Sequence, residues 1–125
     1  MATSLHLGAL ALGAAAAGLV SLIPASPAQA GPSFSCGGAL NSTERAICAS
    51  SSLSALDRQM AGGFQLAVKN ITSEAVGGTL ADVQKFREEQ KAFLRRRDNC
   101  GSSSACIAAA YRQRLTVLDD MNQPE

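Results

Sequence analysis

The stretch "RRRDNCGSSSACIAAAYRQRL", residues 95–115, decides the fold. It contains two cysteines six positions apart, Cys100 and Cys106, with a basic, helix-like run on either side. A disulfide joins Cα atoms that lie roughly 4.4–6.8 Å apart, a distance that a tight helical hairpin supplies. The stretch therefore predicts two helices held together by a covalent bond across the short turn "GSSSA".

The chain has two further cysteines, Cys36 and Cys48. An even number of cysteines in a small exported domain indicates disulfides, and four cysteines allow three pairings between which sequence alone does not choose. We predict the local pairing, Cys36 with Cys48 and Cys100 with Cys106. A zinc site favours two to four residues between paired cysteines, and a redox pair favours Cys-x-x-Cys. The gaps here are eleven and five residues, so both alternatives are weak.

The first 30 residues differ from the rest of the chain. An apolar run over residues 7–23 is followed by small residues and prolines, and the pattern ends in an A-x-A cleavage signal at Ala30. We predict a secretory signal peptide over residues 1–30, cleaved after Ala30, and one domain over residues 31–125 in the periplasm or outside the cell. The alternative is an uncleaved membrane anchor, for which the apolar run is short against the usual span of about 20 residues.

Composition narrows the possible functions. The only histidine, His6, lies in the predicted leader, so residues 31–125 hold no Ser-His-Asp or Cys-His pair and no mixed Cys/His zinc pattern. The eleven basic and ten acidic residues give a net charge of +1, which makes no electrostatic case for binding nucleic acid. Glu88 and Glu89 are helix neighbours whose side chains diverge, so they make no acid/base pair. We predict a protein that is not an enzyme and uses no cofactor or metal.

Apolar residues at steps of three and four predict helices. One covers residues 51–75, with Ser51 or Ser52 as its cap and glycines 77–78 as its end. Others begin near Thr79 and near Ser104, and a short helix covers residues 42–49 with Ser42 as its cap. No segment alternates as a strand does. The fold class is all-α: a disulfide-stapled antiparallel helical hairpin or small three-helix bundle.

Polar residues on the helix stripes are interpreted as structural. Asp57 and Arg97 lie on facing stripes, which predicts either a buried or half-buried ion pair or helix-end capping. Consecutive helix residues point about 100° apart, so Arg97 turns partly inward while residues 95 and 96 stay solvated. Gln90 is expected to satisfy a backbone group between helices, and Tyr111 to lie in the core with its hydroxyl at the surface.

Together, "NSTERAIC", "LSALDRQM", "EEQKAFLRRRDNC" and "CIAAAYRQRLTVL" resemble the lysozyme inhibitor LprI-like N-terminal domain family. The matched positions span residues 34–118, and Phe93 stands where the family usually has Trp. They are Cys36, Glu44, Ile47, Cys48, Leu53, Leu56, Asp57, Gln90, Leu94, Arg97, Asp98, Cys100, Cys106, Arg114 and Leu118. We interpret Glu44, Asp57, Gln90, Phe93, Arg97, Asp98, Tyr111 and Arg114 as structural residues of this pattern.

The resemblance implies an exported bacterial envelope protein that binds a protein partner, lysozyme or another envelope protein, without catalysis. Two hypotheses follow: an inhibitor that covers the cleft of a lysozyme, or a structural and interaction module of the envelope with another partner. No contact with nucleic acid is expected, and none with the membrane after cleavage. The exposed, small-residue segments at residues 77–81 and in the "GSSSA" turn are the candidate contact sites.

Overall fold

The computed structural model describes residues 30–123, so the predicted leader lies outside the described part except for Ala30. Four helices follow one another in this part, and it contains no strand. They are α1 (Ser42–Ala49), α2 (Ser51–Ile71), α3 (Leu80–Asp98) and α4 (Ser104–Met121). The prediction of an all-α fold is confirmed. The three long helices form a bundle, and α1 packs against all of them.

The helix starts follow from capping side chains. Asn41 and Glu44 form a capping box at the start of α1, and the Ser50 hydroxyl accepts a hydrogen bond from the Leu53 N–H at the start of α2. The predicted caps Ser42 and Ser51 or Ser52 were therefore wrong by one or two positions. Thr79 caps α3, and the prediction that this helix begins near Thr79 is confirmed.

Helix α2 ends at Ile71, four residues before the predicted end at residue 75. The Ser73 hydroxyl donates to the Asn70 carbonyl at 2.7 Å, and the Gly78 N–H donates to the Ile71 carbonyl at 2.8 Å. These bonds complete the carbonyls of the last helical turn from outside the helix. A Cβ at position 78 would lie 2.3 Å from the Ile71 oxygen, so only glycine fits there. The loop over residues 72–79 is thereby folded back onto α2.

The core lies between the three long helices and under α1. Phe64 and Phe86 stack with ring centroids 5.1 Å apart, which joins α2 to α3. The buried apolar residues are Ile47, Leu53, Met60, Ala67, Ile71, Val83, Phe86, Phe93, Ile107, Tyr111 and Leu118. They recur at the three- and four-residue steps of the sequence, because only one face of each helix is turned inward.

Helices α2 and α4 make the most extensive contact of the bundle, and Gly63 lies in it. A Cβ at Gly63 would reach 3.4 Å from the side chain of Leu118. The Asn122 amide donates to the Gly63 carbonyl at 3.0 Å, and the Asn70 amide donates to Asn122 at 3.1 Å. The small residue thus lets the two helices meet closely and brings the end of α4 against α2.

Two disulfides close the other end of the bundle. Cys36 pairs with Cys48 and Cys100 pairs with Cys106, with Cα–Cα distances of 6.0 and 5.6 Å. The local pairing is confirmed. The first bond ties the segment before α1 to that helix, and the second joins the end of α3 to the start of α4.

The adjacent glycines of α2 give a matched test of this packing. Gly62 is exposed and a Cβ there meets nothing within 4 Å, so Gly62→Leu should raise the free energy of unfolding by about 0.5–1 kcal/mol through helix propensity alone. Gly63→Leu should lower it by about 1–3 kcal/mol, because the larger side chain crowds Leu118. Urea unfolding of the oxidised proteins, followed by circular dichroism, measures both. Equal effects at the two positions would contradict the close α2–α4 contact.

Candidate functional site

The polar residues of the sequence pattern meet in one buried network. The Tyr111 hydroxyl of α4 donates to Asp57 Oδ1 of α2 at 2.8 Å and accepts from Arg97 Nη1 of α3 at 3.1 Å. Arg97 Nη1 lies 3.8 Å from the same carboxylate oxygen. Asp57 is 1% exposed and Arg97 is 4% exposed. The predicted ion pair is confirmed, and the tyrosine hydroxyl bridges it, so the network joins all three long helices.

The second oxygen of Asp57 is bound by the segment that precedes α1. Both the backbone N–H and the hydroxyl of Ser33 donate to Asp57 Oδ2 at 2.6 Å. Arg58, the next residue of α2, donates to the carbonyls of Ala30 and Gly31. Phe34 packs against the core beside them. The predicted cleavage position therefore lies at the edge of a segment that α2 holds in place.

Asp98 completes the ion pairs of Arg97. Arg97 Nε and Nη2 both donate to Asp98 Oδ1, at 2.9 and 2.6 Å. Burial lowers the pKa of Arg97, but the hydrogen bonds to Asp98 and the interactions with Tyr111 outweigh this and leave its pKa above the ordinary value. The guanidinium is thus permanently charged and fully paired.

Tyr111 is more deeply buried than the sequence suggested. We expected its hydroxyl at the surface, but the residue is 0% exposed and the hydroxyl lies inside the network. Burial raises the pKa of Tyr111, and the hydrogen bond to the Asp57 carboxylate raises it further, because both disfavour a second negative charge there.

A second buried polar group lies one layer further along the bundle. The amide of Gln90 donates to Met60 Sδ at 2.8 Å, and its oxygen accepts from Arg114 Nε at 2.9 Å. The prediction that Gln90 satisfies a backbone group was therefore wrong. The guanidinium carbon of Arg114 lies 5.1 Å from the ring centre of Phe86 and 6.0 Å from that of Phe93, within cation–π range.

The remaining residues of the pattern have local roles. Glu44 accepts from the Asn41 N–H in the capping box of α1. Phe93 packs against Tyr111 with ring centroids 5.9 Å apart. Asp98 also accepts from the Asn41 amide at 3.0 Å. These contacts attach α1 to the α3–α4 end of the bundle.

Three residues of these networks were missed at the sequence level. The Thr43 hydroxyl is fully buried and donates to the Gly101 carbonyl at 2.7 Å. Ser33 and Asn122 make the contacts described above. A threonine in the first turn of an amphipathic helix is a weak signal, and nothing in the sequence marks the other two, because their partners lie far away along the chain.

The basic run at the end of α3 divides as expected. Residues 95 and 96 are exposed, and Arg97 is buried. All three lie in the last turn of α3, where positive charge favours the helix dipole. The run therefore stabilises the helix end, and only Arg95 and Arg96 are available to a partner.

The polar groups of the buried network form their hydrogen bonds with one another. Within residues 30–123, no group of three or more His, Cys, Asp or Glu side chains is arranged to hold a metal ion. The acidic neighbours Glu88 and Glu89 are both exposed, and Glu88 pairs with Lys91 at 2.8 Å. Asp57, Arg97 and Tyr111 are thus paired in the interior, and contacts with other molecules involve the exposed surface.

The loop between α2 and α3, with the first residue of α3, carries the two most exposed large apolar side chains of residues 30–123. Val76 is 64% exposed and Leu80 is 79% exposed. The loop lies at the opposite end of the bundle from the disulfides and includes three of the residues 77–81 that were predicted as a contact site. An apolar pair on a folded loop is a surface that a protein partner can cover.

Compared with known proteins, the chain matches no family model, no curated protein and no solved structure. The resemblance to the LprI-like family therefore stays a prediction. Two disulfides in a small domain are consistent with a periplasmic or extracellular location. None of the helices over residues 30–123 is long and apolar enough to cross a membrane.

The raised pKa of Tyr111 predicts a loss of stability at alkaline pH. An unfolded tyrosine ionises near pH 10, and the folded protein keeps its proton above that pH. The contribution of Tyr111 to the free energy of unfolding is therefore complete below about pH 10 and falls above it, by about 1.4 kcal/mol per pH unit. Tyr111 is the only tyrosine and the chain has no tryptophan, so phenolate absorbance reports on it alone. Native protein that ionises at or below pH 10 would contradict the buried network, and Tyr111→Phe should lack this alkaline slope.

The two carboxylates that contact Arg97 give a second matched test. Asp57→Ala leaves the Ser33 donors and the Tyr111 hydroxyl without their acceptor, and should cost about 3–5 kcal/mol of unfolding free energy. Asp98→Ala should cost less, about 1–2 kcal/mol, because the Asp98 side chain is 34% exposed and water can replace it as the acceptor for Arg97. Urea unfolding of the oxidised variants at neutral pH measures both. Similar losses of unfolding free energy in the two variants would contradict the prediction that the burial of Asp57 makes it the more important of the two carboxylates.

Proposed function

We propose that this protein is an exported binding protein of the bacterial cell envelope that acts without catalysis and that its partner is a lysozyme. The proposal rests on the resemblance of residues 34–118 to the LprI-like family, whose namesake inhibits lysozyme. The predicted leader and the two disulfides support export.

The single observation that supports a binding role best is the loop over residues 72–79 with its flanking Leu80. It places Val76 and Leu80 in solvent at one end of the bundle. The backbone bond from Gly78 to Ile71 holds the loop in shape, so little conformational entropy is lost when a partner covers it. An ordered loop with exposed apolar side chains is a surface that the partner can cover.

The buried polar network supports the absence of catalysis. Asp57, Arg97 and Tyr111 have the residue types of a reactive site, but the Tyr111 hydroxyl is hydrogen-bonded to both of the others and all three residues are at most 4% exposed. A catalytic group has to reach a substrate within hydrogen-bonding distance. These residues stabilise the helical bundle from which the loop extends.

The proposal is tested by a lysozyme activity assay with the oxidised protein, purified after export. We expect saturable inhibition of a chicken-type or goose-type enzyme that disappears when the disulfides are reduced and alkylated. Val76→Ser with Leu80→Ser should weaken inhibition by about tenfold or more, since two apolar anchors are lost. Leu66→Ser with Met121→Ser is the matched control, because these side chains are also exposed but belong to α2 and α4 and not to the loop or α3.

Absence of inhibition at high protein concentration, with the fold intact by circular dichroism, would contradict lysozyme as the partner. The second candidate, an envelope interaction module with another partner, would then be favoured by the same exposed loop. Inhibition that the loop variant and the control variant reduce equally would place the contact elsewhere on the surface.

A further inference from the structure

A groove of about 510 Å³ runs between α3 and α4 beside the Cys100–Cys106 disulfide. Its size is that of a ligand site rather than of a packing defect. The walls are largely apolar, and the polar side chains in them belong to two arginines and one glutamine. The lining includes Phe93, Arg96, Ala110, Gln113, Arg114 and Val117.

Arg114 of this lining is a buried cation whose donors are incompletely used. The residue is 7% exposed, and its Nε donates to Gln90 at 2.9 Å. Its Nη2 is buried without an acceptor, and it is the one buried side-chain nitrogen or oxygen of the described residues in that state. Native structures rarely leave such a group unpaired, because its desolvation is not repaid.

Arg97 shows what the fold provides when a buried arginine is purely structural. Its three side-chain nitrogens all donate, to Asp98 and to Tyr111. Arg114, by contrast, forms no ion pair with any residue of the described part. The faces of Phe86 and Phe93 stabilise its charge but offer no in-plane acceptor to Nη2.

The charges around the groove favour an anion. Burial is the main cause that lowers the pKa of Arg114; the Glu89 carboxylate opposes it, and the Arg96 guanidinium adds to it. Arg96 is exposed at the rim of the same groove, so the two cations repel each other across it. A carboxylate between them would offset the repulsion and supply the missing acceptor.

We propose that the α3–α4 groove binds an acidic peptide segment, with a Glu or Asp carboxylate on Arg114 and Arg96 and a neighbouring apolar side chain against Phe93 and Val117. Contact between Nη2 and the carboxylate requires a rotation of the outer side-chain bonds of Arg114, because this nitrogen is buried. A peptide fits better than a free acid because the groove is open to solvent along the outside of the bundle, where a chain can lie in it. This site is separate from the α2–α3 loop and does not depend on the identity of the partner proposed above.

The test is a titration of the full, oxidised, isotope-labelled protein with acetyl-Leu-Glu-amide, followed by nuclear magnetic resonance. The matched probe is acetyl-Leu-Gln-amide, which has the same shape without the charge. We expect saturable shifts at Ala109, Ala110 and Gln113 with the acidic peptide, and binding at least about tenfold weaker with the amide. Butyrate and inorganic phosphate are titrated in parallel.

Variants separate recognition from folding. Arg96→Gln removes an exposed charge and should weaken the acidic peptide by about tenfold, and Gln113→Glu should abolish its binding by placing a competing carboxylate at the groove. Neither side chain is buried, so unfolding should change little. Arg95→Gln is the control, since Arg95 is also exposed and does not line the groove. Arg114→Gln is read only if its thermal unfolding remains cooperative.

Selective binding of the acidic peptide that Arg96→Gln and Gln113→Glu reduce and Arg95→Gln leaves unchanged would establish the site. Equal binding of both peptides would overturn it, as would shifts that avoid the groove residues. Butyrate or phosphate that binds as tightly as the acidic peptide would overturn the assignment to a peptide.

Discussion

The fold depends on how the buried carboxylate of Asp57 is satisfied. A carboxylate with 1% exposure is tolerated only when its oxygens are hydrogen-bonded and its charge is matched. One oxygen accepts a hydrogen bond from the Tyr111 hydroxyl of α4 and lies near Arg97 of α3. The other oxygen accepts hydrogen bonds from Ser33 in the segment before α1. Because each donor comes from a different element, the requirement of one group fixes the positions of four parts of the chain.

This arrangement separates stability from recognition. The residues with the most reactive chemistry lie inside and are hydrogen-bonded to one another, while the loop over residues 72–79 and the α3–α4 groove lie outside, on opposite parts of the bundle. The disulfides support the same division, since they tie down α1 and the α3–α4 turn at the end where the network lies. A small domain with a limited core benefits from such covalent bonds, because they limit the freedom of the unfolded chain.

The two buried arginines illustrate how burial alone does not assign a role. Arg97 has an acceptor for every side-chain nitrogen, and its place in the fold is explained by those contacts. Arg114 is buried to a similar extent but has an unpaired nitrogen and a groove beside it. The difference lies in the partners and not in the residue type, so it is visible only once the helices are packed.

The sequence by itself determined the helices, their facing apolar stripes and the inward turn of Arg97, because these follow from the periodicity of residues that are close along the chain. It favoured the local disulfides, but the structure decided between the three possible pairings. Only the tertiary structure decided that the Tyr111 hydroxyl is buried, that Gln90 is hydrogen-bonded to Met60 and Arg114, and that Ser33 donates to Asp57. These contacts join residues that lie 14 to 54 positions apart in the chain, and no local sequence pattern indicates which of them meet. Side-chain pairing across helices depends on their relative rotation and height, which the packing of the whole core sets.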